Sequence, residues 1–363
     1  MRLSLFDPKP QPATPAFDTG PRSIAAVKML RISLTDRCNF RCTYCMPAEG
    51  VPWLPKDDLL TFEEITDVVR AAIDIHGIRR FKLTGGEPTV RRGLTDLVRT
   101  LRGLSGVEDL SLTTNGHNLQ DLAGPLRESG LDRVTISLDS LRPDRFRAIT
   151  RTGDLPAVLR GIDAALDAGF PSVKINCVVM RGTNDDELAD FARLTLDRPI
   201  SVRFIEYMPL GHSQVQGSRV ADDEVGPTGG CGAQDRGDVF LPEAEARELI
   251  EAELGELQPV DRRTEAGVGP AVPYRLANAA GRVAFISAMS APFCSTCNRL
   301  RLTATGVLRS CLFEGGEVDL KPILRHDAID SVAAIADAMT ECVRLKPDVH
   351  SYHGREQMSR IGG

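Results

Sequence analysis

The feature that most constrains this chain is an alternation of strand-like and helix-like stretches running through residues 29–208. Residues 29–35 alternate in character and read as a strand. Thr61, with Glu64 three positions on, makes a capping-box pattern; Ile65, Val68, Val69, Ala72 and Ile73 then follow at helical spacing until Gly77. Strand-like stretches recur at residues 80–84, 109–113, 133–139, 173–179 and 202–208. Helical patterns at 94–104, 119–129, 156–168 and 184–196 separate them. Six strands alternating with helices imply a parallel sheet, either doubly wound or barrel-like.

In both architectures ligands bind at the carboxyl ends of the strands. Polar residues and glycines recur at those ends: Gly85-Gly86-Glu87-Pro88, Thr113-Thr114-Asn115, Ser137 and Met208. Two adjacent glycines let backbone approach a ligand closely. Arg31 and Lys174 stand inside strands, where a lone cation is ordinarily a surface or edge charge.

The loop after the first strand carries Cys38-x3-Cys42-x2-Cys45, and the next cysteine is Cys177. Thiolates suit zinc or iron–sulfur clusters, and a closed site or an ordinary four-cysteine cluster needs a fourth ligand. Three local ligands leave one metal position open for chemistry, although three-ligand zinc fits the spacing as well. A second group, Cys294-x2-Cys297-x13-Cys311, has the same deficit, with Cys342 placed in a helical pattern. Between its members runs Asn298-Arg299-Leu300-Arg301, where Arg299 and Arg301 share one face of an extended segment. Two guanidiniums suit a di- or triphosphate through bidentate contacts.

Residues 211–237 are rich in Gly, Asp, Ser and Gln and read as a flexible insertion holding the isolated Cys231. Residues 241–254 read as a helix, 274–276 and 282–286 as paired strands, and 318–339 as mostly helical. The expected division is a Pro-rich disordered tail at 1–28, a barrel-like domain at 29–210, the insertion at 211–240 and a carboxy-terminal region at 241–363. The chain ends in Gly362-Gly363; fraying is the ordinary reading of such an end, and threading into a confined site is the other.

Nine cysteines in an odd, clustered set point to metal ligation in a reducing compartment, and a cytoplasmic location is expected. A net charge of -6 gives no support to bulk nucleic-acid or anionic-membrane binding.

The first cysteine spacing, with Tyr44 inside it, resembles the signature of the radical S-adenosylmethionine superfamily, and Gly85-Gly86-Glu87-Pro88 resembles its second motif. The second cysteine group, Asn298-Arg299-Leu300-Arg301 and the terminal Gly-Gly narrow the resemblance to the GTP 3′,8-cyclase family of molybdenum cofactor biosynthesis. The resemblance implies an α/β fold, an incomplete (β/α)6 TIM-type barrel with a carboxy-terminal α+β region. It implies two 4Fe–4S clusters, on Cys38, Cys42 and Cys45 and on Cys294, Cys297 and Cys311. S-adenosylmethionine would lie at Gly86 and Ser137 and at the backbone of Tyr44 and Met208. GTP would lie among Arg31, Lys82, Thr113, Lys174, Arg299, Leu300 and Arg301, with Arg299, Arg301, Gly362 and Gly363 assisting catalysis. Lys82 stands where the family usually has arginine, so it offers a point charge and no fork. Further implications are a reductant protein such as flavodoxin or ferredoxin, onward passage of the product to cyclic pyranopterin monophosphate synthase, and a homodimer. Two other readings remain: a peptide-modifying maturase with an auxiliary cluster, and a zinc- or cluster-binding module without turnover.

Overall fold

The structure is a computed structural model and describes residues 20–211, 239–264, 266–326, 331–351, 354 and 356–362. The insertion at 212–238 with Cys231, the first 19 residues of the Pro-rich tail and Gly363 lie outside the described residues.

The first half alternates as its sequence pattern requires: β1 (Met29–Ser33), α1 (Phe62–Asp74), β2 (Arg80–Thr84), α2 (Leu94–Arg102), β3 (Asp109–Thr114), α3 (Leu119–Glu128) and β4 (Arg133–Ser137). It continues through α4 (Pro143–Thr150), α5 (Leu155–Asp167), β5 (Ser172–Val179), α6 (Leu188–Asp197) and β6 (Ile200–Glu206). The capping box forms at α1, where the Thr61 side chain accepts from the Glu64 backbone and Glu64 accepts from the Thr61 backbone. The helix α4 is absent from the sequence reading; it is a single short helix opened by Pro143. Strand β6 begins and ends two residues earlier than the pattern suggests, which leaves Met208 in the loop beyond it.

The second half adds α7 (Glu243–Leu254), β7 (Gln258–Pro259), β8 (Val272–Arg275), β9 (Arg282–Ile286) and β10 (Arg299–Leu302). It closes with β11 (Val307–Arg309), β12 (Glu317–Asp319), α8 (Lys321–Leu324), α9 (Ser331–Arg344) and α10 (Met358–Ile361). The stretch read as mostly helical from 318 thus starts as a strand and becomes helical at Lys321.

All of these strands join one sheet in the order β12-β11-β10-β1-β2-β3-β4-β5-β6-β9-β8-β7. β10 pairs parallel with β1 and β9 pairs parallel with β6, so the later strands extend the parallel run at both ends. The sheet is open, with β12 and β7 at its edges, which makes the architecture an incomplete TIM-type barrel. No helix among the described residues is long and apolar enough to cross a membrane.

Strand alternation sorts the side chains into two environments. Leu30 and Ile32 of β1, Phe81 and Leu83 of β2, and Leu110 and Leu112 of β3 join one continuous core with the flanking helices. Their neighbours Arg31, Lys82 and Thr113 face the opposite way, into a cavity. Leu300 is fully buried in the core while Arg299 and Arg301 line the cavity. Leu300→Ala is therefore expected to lower stability by about 2–5 kcal/mol in denaturant titration; a loss below about 1 kcal/mol would contradict this packing.

Candidate active site between two thiol sets

One cavity of about 310 Å³ lies inside the curl of the sheet. Both cysteine groups line it: Cys38, Cys42 and Cys45 beyond the carboxyl end of β1, and Cys294, Cys297 and Cys311 around the start of β10. Met29 pairs with Arg299, so the second group adjoins the amino-terminal end of β1. At about 3.3 Å of rise per residue, β1 alone separates the two levels by about 13 Å.

The first loop is locked to the Gly-Gly-Glu loop by backbone. The Gly86 N–H donates to the Thr35 carbonyl at 2.7 Å and the Glu87 N–H to the Arg37 carbonyl at 2.7 Å. A Cβ on Gly86 would lie 2.4 Å from the Arg37 carbonyl oxygen, and one on Gly85 would lie 2.7 Å from that of Thr35. These glycines are thus needed for backbone-to-backbone packing under the cysteine loop, a reason additional to ligand approach. Glu87 is buried and accepts from the Thr114 hydroxyl at 2.7 Å and the Asn115 N–H at 2.6 Å. Asn115 Nδ2 donates to Asn39 Oδ1 at 2.7 Å, which carries the chain of contacts back to the cysteine loop. The Tyr44 hydroxyl donates to Asp139 Oδ2 at 2.7 Å, and burial pushes the Asp139 carboxyl up to about 6. Asn115 belongs to the strand-end rim expected from the sequence, whereas Asp139, just past the end of β4, was not singled out there.

The thiols themselves are in costly surroundings. Burial pushes Cys38 up to about 11, with Glu87 adding to the effect, and pushes Cys45 up to about 12, with Cys38 adding to it. Burial also raises Cys42 well above the usual thiol value, helped by Asp139 and the other two thiols. Near β10 the balance differs. Burial pushes the Cys297 thiol up, but Arg299 and Lys346 together outweigh it and hold the group down to about 7.

These surroundings suit iron–sulfur ligation. Three soft donors line one cavity in each group, and a cationic cluster core would offset the burial that raises the first three. Among the described residues, no three His, Cys, Asp or Glu side chains converge closely enough to hold a single metal ion. Neither Cys177 nor Cys342 supplies a fourth ligand, since both are packed in the core. Asn176 Oδ1 and the Ser310 and Ser359 hydroxyls are buried on the cavity wall without a hydrogen-bond partner among the described residues.

Between the thiol groups the wall is cationic, which is unlike the bulky apolar filling of an ordinary TIM barrel. Arg31, Lys82, Arg133, Arg203, Arg299 and Arg301 all line it. Register places Arg31 opposite both Arg301 and Lys82, one layer across three strands. Burial lowers Arg31 to about 10, with Arg299 contributing, and lowers Lys82 well below its usual value. The further causes at Lys82 are Arg31, Arg203, Arg133 and Lys174. Lys82 donates to the Thr135 hydroxyl at 3.1 Å, Arg301 donates to the Gly362 carbonyl at 2.8 Å, and Arg133 pairs with Asp109. Lys174 is buried behind the wall, where its ammonium meets the Ala266 carbonyl.

Most of the expected site residues therefore meet in one place. Tyr44, Gly86, Ser137, Met208, Arg31, Lys82, Thr113, Arg299 and Arg301 line the cavity. Lys174 adjoins it, and Leu300 offers it only backbone, because its side chain is in the core. Gly362 enters it from α10: a Cβ there would lie 3.0 Å from both Ser33 Cβ and Thr84 Cγ2. Arg133 and Arg203 escaped the sequence reading, being single cations inside strands.

A thiol triad after the first strand of an open parallel sheet, tied to a Gly-Gly-Glu loop, defines a radical S-adenosylmethionine protein. Residues 32–195 match the Radical SAM superfamily, and residues 223–352 match the family described as Molybdenum Cofactor Synthesis C. A GTP 3′,8-cyclase of Pelotomaculum thermopropionicum is 49% identical over 341 residues, spanning 93% of this chain and 98% of that protein. One from Geobacter sulfurreducens is 44% identical over 343 residues, spanning 93% and 97%. The chain belongs to the GTP 3′,8-cyclase family. Its fold also resembles Streptococcus suis SuiB bound to S-adenosylmethionine, with a TM-score of 0.53 and 14% identity over 88% of this chain and 68% of that one. At that identity the likeness concerns the fold alone.

Gly86→Ala should force the two loops apart and lower the iron held after anaerobic reconstitution toward what the second thiol group retains. Iron content equal to that of the parent protein would contradict the packing role.

Proposed function

We propose that this chain carries out the first step of molybdenum cofactor biosynthesis, converting GTP to 3′,8-cyclo-7,8-dihydro-GTP in a radical S-adenosylmethionine reaction. The observation that carries the reading is the cationic wall between two open thiol triads. A polyanion is the natural complement to a cluster of buried cations, among which Lys82 meets a hydroxyl oxygen and Arg301 a carbonyl oxygen.

Cys38, Cys42 and Cys45 would hold one 4Fe–4S cluster and Cys294, Cys297 and Cys311 the other. Gly86, Ser137 and the backbone at Tyr44 and Met208 would hold S-adenosylmethionine on the rim above the first. When bound, this cofactor pair supplies a 5′-deoxyadenosyl radical able to remove a ribose hydrogen. The chain's own residues then determine which hydrogen is removed.

Arg31, Lys82, Arg301 and Lys174 bind the triphosphate, with Lys82 acting as a point charge. Thr113 bonds the nucleotide from β3. Arg299 and the Leu300 backbone sit where β10 leaves the second thiol group, and they direct the base toward it. This arrangement turns the ribose C3′ toward the first site while keeping guanine C8 on the same side for closure of the C3′–C8 bond. Gly362 holds Arg301 through its carbonyl, in a space where a Cβ would press on Ser33 and Thr84; Gly363 assists catalysis beside it in this reading. The reaction needs two electrons, one to cleave the sulfonium and a second, with a proton, to reduce the closed C3′–C8 adduct, for which a flavodoxin- or ferredoxin-like protein is the fitting donor. Its product is a substrate for cyclic pyranopterin monophosphate synthase, and a cytoplasmic homodimer is the form this reading implies.

Incubation of the reconstituted protein with GTP, S-adenosylmethionine and a reductant under anaerobic conditions should yield 5′-deoxyadenosine together with a cyclised GTP. Formation of 5′-deoxyadenosine without any dependence on GTP would overturn the reading. Arg299→Ala should weaken GTP binding at least tenfold, about 1.4 kcal/mol, while the absorbance of the first cluster stays unchanged. Equal GTP affinity would remove Arg299 from the site.

A further inference from the structure

Lys346 has no place in the scheme above, yet it is among the most enclosed cations of the molecule at 3% exposure. It follows α9 by two residues and reaches toward the start of β10. Its ammonium lies 3.0 Å from the Arg299 carbonyl, 3.3 Å from the Cys297 carbonyl and 3.8 Å from Cys297 Sγ. An ammonium has three donors, and these acceptors can use all three.

The lysine is held in place from behind. Its own carbonyl accepts from Arg22 Nε at 2.8 Å, and Arg22 pairs with Asp348 at 2.9 Å. No carboxylate is among the hydrogen-bond or ion-pair partners of the Lys346 ammonium among the described residues. A buried ammonium without an anion is unfavourable, because desolvation is then not repaid by charge pairing. Burial lowers the Lys346 ammonium from its usual value and Arg299 adds to this, while the Cys297, Cys311 and Cys342 thiols favour its charge. Cys342 lies 3.3 Å from the Gly316 carbonyl, to which its thiol donates. That leaves two members of the second thiol group.

We propose that Lys346 is a positioning residue of the second site, whose fixed charge raises the reduction potential of the cluster held by Cys294, Cys297 and Cys311. The proposal rests on reading those thiols as iron–sulfur ligands. Reduction adds one negative charge to a cluster, and a fixed cation beside a ligand sulfur stabilises the more negative state. The same ammonium clamps the carbonyls of Cys297 and Arg299, so the ligand and the substrate-facing arginine are set by one side chain.

The test uses full-length protein in which Cys38, Cys42 and Cys45 are replaced by alanine, leaving the second cluster alone. Its reduction is followed by electron paramagnetic resonance in a potentiometric titration. Lys346→Met should lower the ratio of reduced to oxidised cluster at a fixed potential at least tenfold, a shift of 59 mV for one electron. Lys346→Arg should restore most of the difference. An unchanged potential in Lys346→Met with its iron retained overturns the proposal. Iron lost from Lys346→Met but kept by Lys346→Arg supports the charge role; iron lost from both overturns it. If the parent with three alanines holds no iron, the reading of the second cluster has failed, an outcome separate from any failure of Lys346.

Discussion

Repulsion among buried cations is the constraint around which the rest of this structure is arranged. Arg31, Lys82 and Arg301 occupy one layer across three neighbouring strands, and Lys174 and Arg203 stand near enough to lower Lys82 further. A core would exclude such a set. The sheet accommodates it by curling, so that one face packs on the helices while the other encloses a cavity that Arg31, Lys82, Arg203 and Arg301 line. The Thr135 hydroxyl accepts from Lys82 and the Gly362 carbonyl from Arg301, and neither partner carries a negative charge.

The two thiol groups gain meaning from that cavity. Each alone would be an incomplete metal site with several readings. They lie at different levels of one cavity with cations between them, the arrangement on which the proposed GTP site rests. Glu87 and Asn115 tie the rim loops together, and α10 carries Gly362 back to the β1–β2 junction. Gly362 thus adjoins the wall, where its positive φ of 72° and the 3.0 Å approach of a Cβ to Ser33 and Thr84 both favour glycine.

Much of this was legible in the sequence, for definable reasons. Strands with clear period-two alternation, such as β2, were placed to the residue, and the cap at Thr61 announced α1. Helix α4 was missed because eight residues carry too little periodicity to stand out. The parallel pairing of β9 with β6 and β10 with β1 could not be read, because register between distant strands is set by tertiary packing. The same limit hid Arg133 and Arg203: an arginine inside a strand looks identical whether it faces solvent or a lumen. Arg31 and Lys174 were assigned only through family resemblance. Lys346 gave no sign at all, since its role depends on the carbonyls at Cys297 and Arg299 arriving beside it.

The central claim is that this wall holds GTP with its ribose C3′ toward the first thiol group. GTP carrying deuterium at C3′ tests it most directly, by mass analysis of the 5′-deoxyadenosine formed in the reconstituted reaction. The arrangement predicts deuterium in that product. Unlabelled 5′-deoxyadenosine, formed while GTP is consumed, would contradict it.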